Sequence, residues 1–301
     1  MQKLLGFLRL MRPANIVTAI SDILAGVAIA NYTSDHNLLL QDLSSILLLV
    51  ISTIGLYGGG VVLNDVFDAE LDKTERPERP IPSGIVSKKD STLLASFLFL
   101  MGIAAAAFVH PGHLLSATTS LAIVITIACI IYDKWGKHQS YLGPVNMGLC
   151  RGLNLLLGIS ILPEALTLYW PLFIIPVIYI AAITMISRGE VHGSKKSTLY
   201  GAVILYTIVI SSIIYVGIKN NTILYVLFFL LLFGYLIFPP LQKAIREPKG
   251  PLIGKAVKAG VIALIVMNAS WAAAFGSFYF AVFILLLLPV SFFFAKAFAV
   301  T

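Results

Sequence analysis

Apolar runs of about 18 to 22 residues recur along the whole chain, and each matches the ~20 residues that a helix needs to cross a bilayer core. They fall near 14–31, 43–63, 91–109, 114–132, 141–162, 169–187, 199–218, 222–240, 254–275 and 277–297. The pattern predicts an all-α integral membrane protein, a bundle of nine or ten transmembrane helices, with the last pair of runs the least sharply delimited. The first run starts after Arg12-Pro13 and is long enough to span a membrane, so a cleavable signal peptide is not expected. No low-complexity stretch or long linker interrupts the series, so residues 1–301 are expected to form a single polytopic domain.

Composition agrees. Of 301 residues, 58% are hydrophobic and 12% charged, with a mean hydropathy of +0.93, whereas a soluble domain carries about 25% charged residues. On a soluble protein the formal charge of +7 would suggest a nucleic-acid partner, but the placement of the cations gives it another meaning. Lys3, Arg9, Arg12, Lys73, Arg76, Arg79, Lys88, Lys89, Lys134, Lys137, Arg188, Lys195, Lys196, Lys243, Arg246, Lys249, Lys255 and Lys258 all fall on one side of the predicted spans. The alternate loops, around 31–42, 110–113, 163–168 and 219–221, hold only Lys219. The positive-inside rule makes the basic side cytoplasmic. The N-terminus and the loops after the second and sixth spans are therefore expected in the cytoplasm, in a bacterial inner membrane, with no nucleic-acid partner. Cys129 and Cys150 lack CxxC spacing and are expected to pack rather than to form a disulfide or metal site.

Those two loops lie four helices apart, a spacing that suggests two similar halves whose corresponding loops meet over a central cavity. The first reads Asn64-Asp-Val-Phe-Asp-Ala-Glu-Leu-Asp72, which places Asp65, Asp68 and Asp72 at i, i+3 and i+7 on one helical face. Three like charges on one stripe repel unless a cation binds there, and hard carboxylate oxygens suit Mg²⁺. Because Mg²⁺ keeps several waters and completes its shell with substrate phosphates, a diphosphate substrate follows. As surface carboxylates, the three should contribute little to bundle packing. Arg76 and Arg79, in the proline-stiffened stretch Arg76 to Gly84, supply guanidinium groups suited to phosphate oxygens.

Asn64 to Gly84 resembles the first signature of the UbiA superfamily of membrane prenyltransferases, N-D-x-x-D-x-x-x-D followed by R-x-x-R-P and a glycine. Arg12-Pro13-Ala14-Asn15, the stretch Tyr132 to Lys137, and Gly143, Asn146 and Gly148 extend the resemblance over most of the chain. The resemblance implies a nine-helix bundle around a lateral cavity, a prenyl diphosphate donor, Mg²⁺ as cofactor and transfer of the prenyl group to a small-molecule acceptor, aromatic or otherwise polar or cyclic. Tyr132 and Lys137 match a Y-x-x-x-x-K stretch, with the lysine placed to neutralise departing diphosphate.

The second loop departs from the pattern. Family members usually carry D-x-x-x-D there, commonly followed by G-x-K-[ST], and this chain reads Ile186-Ser-Arg-Gly-Glu-Val-His-Gly-Ser-Lys-Lys-Ser197. Alignment on Lys196-Ser197 puts Glu190 in place of the second aspartate and Ile186 or Ser187 in place of the first. Glu190 is thus the one metal-ligand candidate there, Arg188 and Lys196 are diphosphate candidates, and His192 is a candidate ligand or proton carrier. The S-R-G-E-V-H-G wording resembles the EboC-like branch of the superfamily.

Within the spans, Asp22 lies about ten residues into the first helix, where an uncompensated charge costs at least ~2.5 kcal/mol, so it is expected to face a polar cavity. Asn15, Asn146, Arg151 and Asn154 are expected to line the same chamber. Two rivals stand against the prenyltransferase reading. One is a carrier or transporter of a lipid-like metabolite that kept the scaffold without turnover, favoured by the incomplete second motif. The other, phosphotransfer to an alcohol from a nucleotide-activated lipid, requires D-x-x-D-G-x-x-A-R, and residues 65–72 lack its Gly and Ala-Arg.

Overall fold

The computed structural model describes residues 2–34, 42–139, 142–190 and 193–298. The described residues are helical throughout their regular structure: α1 (Gln2–Met11), α2 (Pro13–Thr33), α3 (Leu43–Phe67), α4 (Ala69–Glu75), α5 (Lys88–Ala107), α6 (Ala117–Lys134), α7 (Leu142–Ile159), α8 (Pro163–Tyr169), α9 (Ile174–Ser187), α10 (Lys196–Lys219), α11 (Ile223–Arg246), α12 (Gly250–Ala274), α13 (Phe278–Leu285) and α14 (Leu287–Ala297). Nine stretches among them are long and apolar enough to cross a membrane, with α8–α9 and α13–α14 each counted as one.

All ten apolar runs expected from sequence have a helical counterpart, and α7 is the one outside those nine. Asn146, Arg151 and Asn154 dilute its apolarity, and it packs in the interior against α2, α6 and α9. The sixth run is broken by a 3₁₀ turn at Trp170–Phe173, where Pro171 removes a backbone donor. Two helices were not expected from the sequence: α8 occupies the stretch 163–168 read as a loop, and α1 lies ahead of the first apolar run. α1 has only ten residues, too few to span, and it lies along the start of α5 with Lys3 Nζ 2.8 Å from Asp90 Oδ2.

α2 is the most deeply enclosed span and α13–α14 the least. Large side chains such as Leu231, Leu224 and Tyr279 stand 74%, 80% and 88% exposed on the outer surface, an arrangement that suits a hydrocarbon solvent. Helix association in lipid lacks a hydrophobic drive and relies on close backbone contact through small residues. α2 and α7 meet in this way at Gly26 and Gly158. A Cβ on Gly26 would lie 2.7 Å from Ile159 N and 2.8 Å from Gly158 Cα, and one on Gly158 would lie 3.0 Å from Ile23 Cα.

Replacing Gly158 with Leu is therefore expected to separate α2 from α7 and to lower stability by about 1–3 kcal/mol or more. Gly234→Ala is the control, because its Cβ would meet Phe238 Cδ2 at an ordinary 3.5 Å. Thermal unfolding in detergent checks both: a large fall for Gly158→Leu with little change for Gly234→Ala is expected, and equal behaviour would contradict the packing argument.

Candidate active site

The first-loop acids are built on an interrupted helix. α3 ends at Phe67 and α4 begins at Ala69, but Asp68 N donates to Asn64 O at 3.0 Å and Asp72 N to Asp68 O at 2.8 Å. Helical spacing thus persists across the break. Beyond Glu75 the chain folds back on itself, with Val86 N donating to Pro80 O at 3.0 Å. That return carries Arg79 under the acids, where its Nη1 lies 2.7 Å from Asp72 Oδ2 and 3.4 Å from Asp65 Oδ1. Arg12 reaches Asp65 Oδ1 from α2 at 2.6 Å, and Lys137 pairs with Asp68 Oδ1.

Three carboxylates are thereby matched by three cations from three separate parts of the chain. Asp65, Asp72 and Arg79 are 3%, 4% and 7% exposed. These are not surface carboxylates, as the sequence suggested, but part of the interior packing. Only Asp68 is open to the surroundings, at 20% side-chain exposure. Arg12 adopts a left-handed backbone (φ 49°, ψ 68°) just before Pro13, a conformation that costs a non-glycine residue about 1–2 kcal/mol. The strain is held at the residue that grips Asp65.

Beneath this cluster lies a cavity of about 210 Å³. Arg12, Asn64, Tyr132 and Asp133 line it at the end nearest the acids, and apolar walls include Val61, Ile180 and Leu264. Tyr57 lies two turns back along α3 from Asn64, so together with Arg151 it marks the deep end. The Arg151 guanidinium sits 5.6 Å over the Tyr57 ring.

Asp22 is fully buried and does not line the cavity; it sits behind Arg151. Arg151 Nη2 donates to Asp22 Oδ1 at 3.1 Å, and its Nε lies 2.9 Å from Oδ2, close enough for ion pairing though not aimed for a hydrogen bond. Asn154 donates to Asp22 Oδ2 at 3.1 Å and Asn268 to Oδ1 at 2.8 Å. The network joins α2, α7 and α12, and Thr53 Oγ1 adds α3 by donating to Asn154 at 2.8 Å. Asn15 lines the cavity, as expected from sequence, while Asn154 is turned to Ala19 and Asp22, Asn146 lies beside Gly136 and Cys150, and neither lines it.

Among the described residues, the second loop makes no ion pair or side-chain hydrogen bond to the acids. Arg188, Glu190 and Lys196 are exposed and form no ion pair or hydrogen bond through their side chains with a described residue. The loop packs on the start of α12: Gly189 lies against Ile253, and Glu190 Oε1 lies beside Gly254. His192 lies outside the described residues. Arg76 is exposed and is held by its backbone, N donating to Asp72 O at 2.9 Å.

Three cavity residues went unassigned in the sequence analysis. Arg12 was seen only as part of a motif, Tyr57 carried no spacing signal, and Asp133 was overshadowed by Tyr132 and Lys137 beside it. Asn64 Nδ2 donates to Asp133 Oδ1 at 2.9 Å, which ties the first motif to α6.

Comparison with known proteins completes the picture. The chain is 31% identical over 163 residues to digeranylgeranylglyceryl phosphate synthase of Methanothrix thermoacetophila, covering 54% of this chain and 57% of that one. It is 36% identical over 155 residues to the synthase of Methanoculleus marisnigri, covering 51% and 50%. The chain thus spans about half the length of the curated relatives it matches. A solved structure concerned with digeranylgeranylglyceryl phosphate synthase superposes with a TM-score of 0.64 at 21% identity, over 93% of this chain and all of that one. The apo structure of a UbiA homolog from Aeropyrum pernix superposes with a TM-score of 0.67 at 15% identity, over 85% and 96%. Both likenesses concern the fold. The sequence profile of the UbiA prenyltransferase family matches residues 20–250, a range that takes in the first-loop acids, Lys137, Asp133 and Arg151, and so the chain is an integral membrane protein that belongs to the UbiA prenyltransferase family.

Proposed function

We propose that this protein is a magnesium-dependent prenyltransferase that works within the bilayer, moving the prenyl group of a prenyl diphosphate to a small polar or cyclic acceptor. One observation carries the reading: three carboxylates and three cations are gathered at one end of a cavity whose walls are otherwise apolar. Membership of the family and the prenyl-transfer activity in the relatives' name support it. The cytoplasmic placement of the N-terminus and both loops rests on the distribution of Lys and Arg.

The donor set fits a hard divalent cation. Asp65 Oδ2, Asp68 Oδ2 and Asp72 Oδ1 are not engaged by the ion pairs, which use the other oxygen in each case. Among the described residues no three acids, histidines or cysteines stand close enough to cage an ion. Magnesium does not require such a cage, because it is ordinarily held by one or two carboxylates with water and phosphate oxygens. Asp65, Asp68 and Asp72 would hold it, with Glu190 as the candidate from the second loop. When bound, magnesium supplies charge neutralisation for a leaving diphosphate.

The chain's own residues do the rest. Arg12, Arg79 and Lys137 bring positive charge to the place where diphosphate oxygens would lie. Arg76, Arg188 and Lys196 stand exposed on the same basic side as further contacts. Val61, Ile180 and Leu264 exclude water from a developing allylic cation. The carrier reading keeps one observation in its favour, the single exposed acid in the second loop.

Asp68→Asn is expected to reduce magnesium-dependent transfer at least 100-fold with little loss of stability, since Asp68 is partly exposed. Asp65→Asn is expected to lose both activity and stability, because breaking a buried ion pair costs about 3–5 kcal/mol. Assays with geranylgeranyl diphosphate alongside thermal unfolding check the pair, and full turnover by Asp68→Asn would overturn the metal assignment. Glu190→Gln is expected to raise the magnesium concentration needed for half-maximal rate while leaving the product unchanged; an unaltered magnesium response would remove Glu190 from the site.

A further inference from the structure

We infer that Asp133 takes the proton from the acceptor, and that the acceptor is a neutral molecule bearing a hydroxyl group. The inference rests on the prenyltransferase reading and adds to it the substrate class and the residue that receives the proton. Asp133 is 3% exposed and lines the cavity near its polar end. Its Oδ1 accepts from Asn64, and its Oδ2 is buried without a hydrogen-bond partner among the described residues. A buried carboxylate oxygen left without a donor costs free energy, and native proteins rarely keep one without a use. Asp133 is the one carboxylate among the described residues that line the cavity, so a hydroxyl bound there has this side chain as its carboxylate neighbour.

Charge selects the acceptor. The other charged groups lining the cavity are Arg12 and Arg151, and each already has a carboxylate, Asp65 and Asp22. No cation in the cavity is left for an anionic acceptor, and Asp133 would repel a phosphate or carboxylate placed there. A neutral hydroxyl compound meets no such repulsion.

The step balances as a substitution. The C1–O bond to diphosphate breaks and its electron pair leaves with diphosphate. The acceptor oxygen forms the new bond to C1, giving an ether, and its proton passes to the Asp133 carboxylate. No atom is oxidised or reduced.

The test uses the full chain in detergent with geranylgeranyl diphosphate and Mg²⁺, and a cell extract separated by anion exchange into neutral and anionic fractions as the acceptor probe. Prenyl ether formed from the neutral fraction is expected; product from the anionic fraction alone would overturn the inference, whereas absence of any magnesium-dependent diphosphate release would overturn the prenyltransferase reading itself. This arm uses unaltered protein and stands whether or not a variant folds. In the second arm, Asp133→Asn is expected to lose at least 100-fold in transfer, the scale of general base catalysis. Diphosphate release should fall less, with the prenyl group recovered as the alcohol from capture by water, and Asp133→Glu should regain part of the transfer. Wild-type transfer by Asp133→Asn, or recovery of its activity by excess Mg²⁺, would overturn the assignment, the latter because it would make Asp133 a metal ligand.

Discussion

A bilayer offers no water to a stray charge, so every ionised group placed among these helices must find its counter-charge within the protein. Two charged layers meet that demand at different depths. Arg12 and Asp22 both belong to the α2 region and stand ten residues apart, about 15 Å along a helix. Arg12 grips Asp65, and Asp22 grips Arg151. Because α2 is the most enclosed span, it fixes both layers relative to each other. Close contact at Gly26 and Gly158 then holds α7, which carries Arg151 and Asn154, against it.

Between the two layers lies the cavity, and its chemistry follows from what the layers leave over. The outer layer presents unengaged carboxylate oxygens and three cations. The inner layer is a closed ion pair whose carboxylate receives donors from Arg151, Asn154 and Asn268. The cavity walls are mostly apolar, with Tyr132 and Asp133 toward the acids and Tyr57 at the deep end. An isoprenoid diphosphate, the donor proposed above, has the same division, with a charged head and an apolar tail.

Much of this was legible in the sequence because it depends on local spacing. The apolar runs located the spans, since a bilayer imposes one length on all of them. Asp65, Asp68 and Asp72 were legible because i, i+3 and i+7 share a helical face, and that relation survived the break at Asp68. Partnerships across the bundle were not legible. Nothing near Asp65 in sequence indicates Arg12, 53 residues away, and nothing near Asp22 indicates Asn268, 246 residues away. Burial of Asp65 and Asp72 depends on the return of the chain after Glu75, which no periodicity encodes. Helix α1 was not legible because it is amphipathic and too short to give a membrane-length apolar run. Asn146 illustrates the opposite failure: helical spacing grouped it with Cys150 and Asn154, but of the three only Cys150 lines the cavity.

The most direct test of the central claim is stoichiometry. Purified protein supplied with labelled geranylgeranyl diphosphate, Mg²⁺ and a cell extract is expected to release one diphosphate for each prenyl group transferred, with both signals lost on chelation. Tight binding of the donor with neither diphosphate release nor a prenylated product would contradict the account and leave the chain a carrier built on a prenyltransferase scaffold.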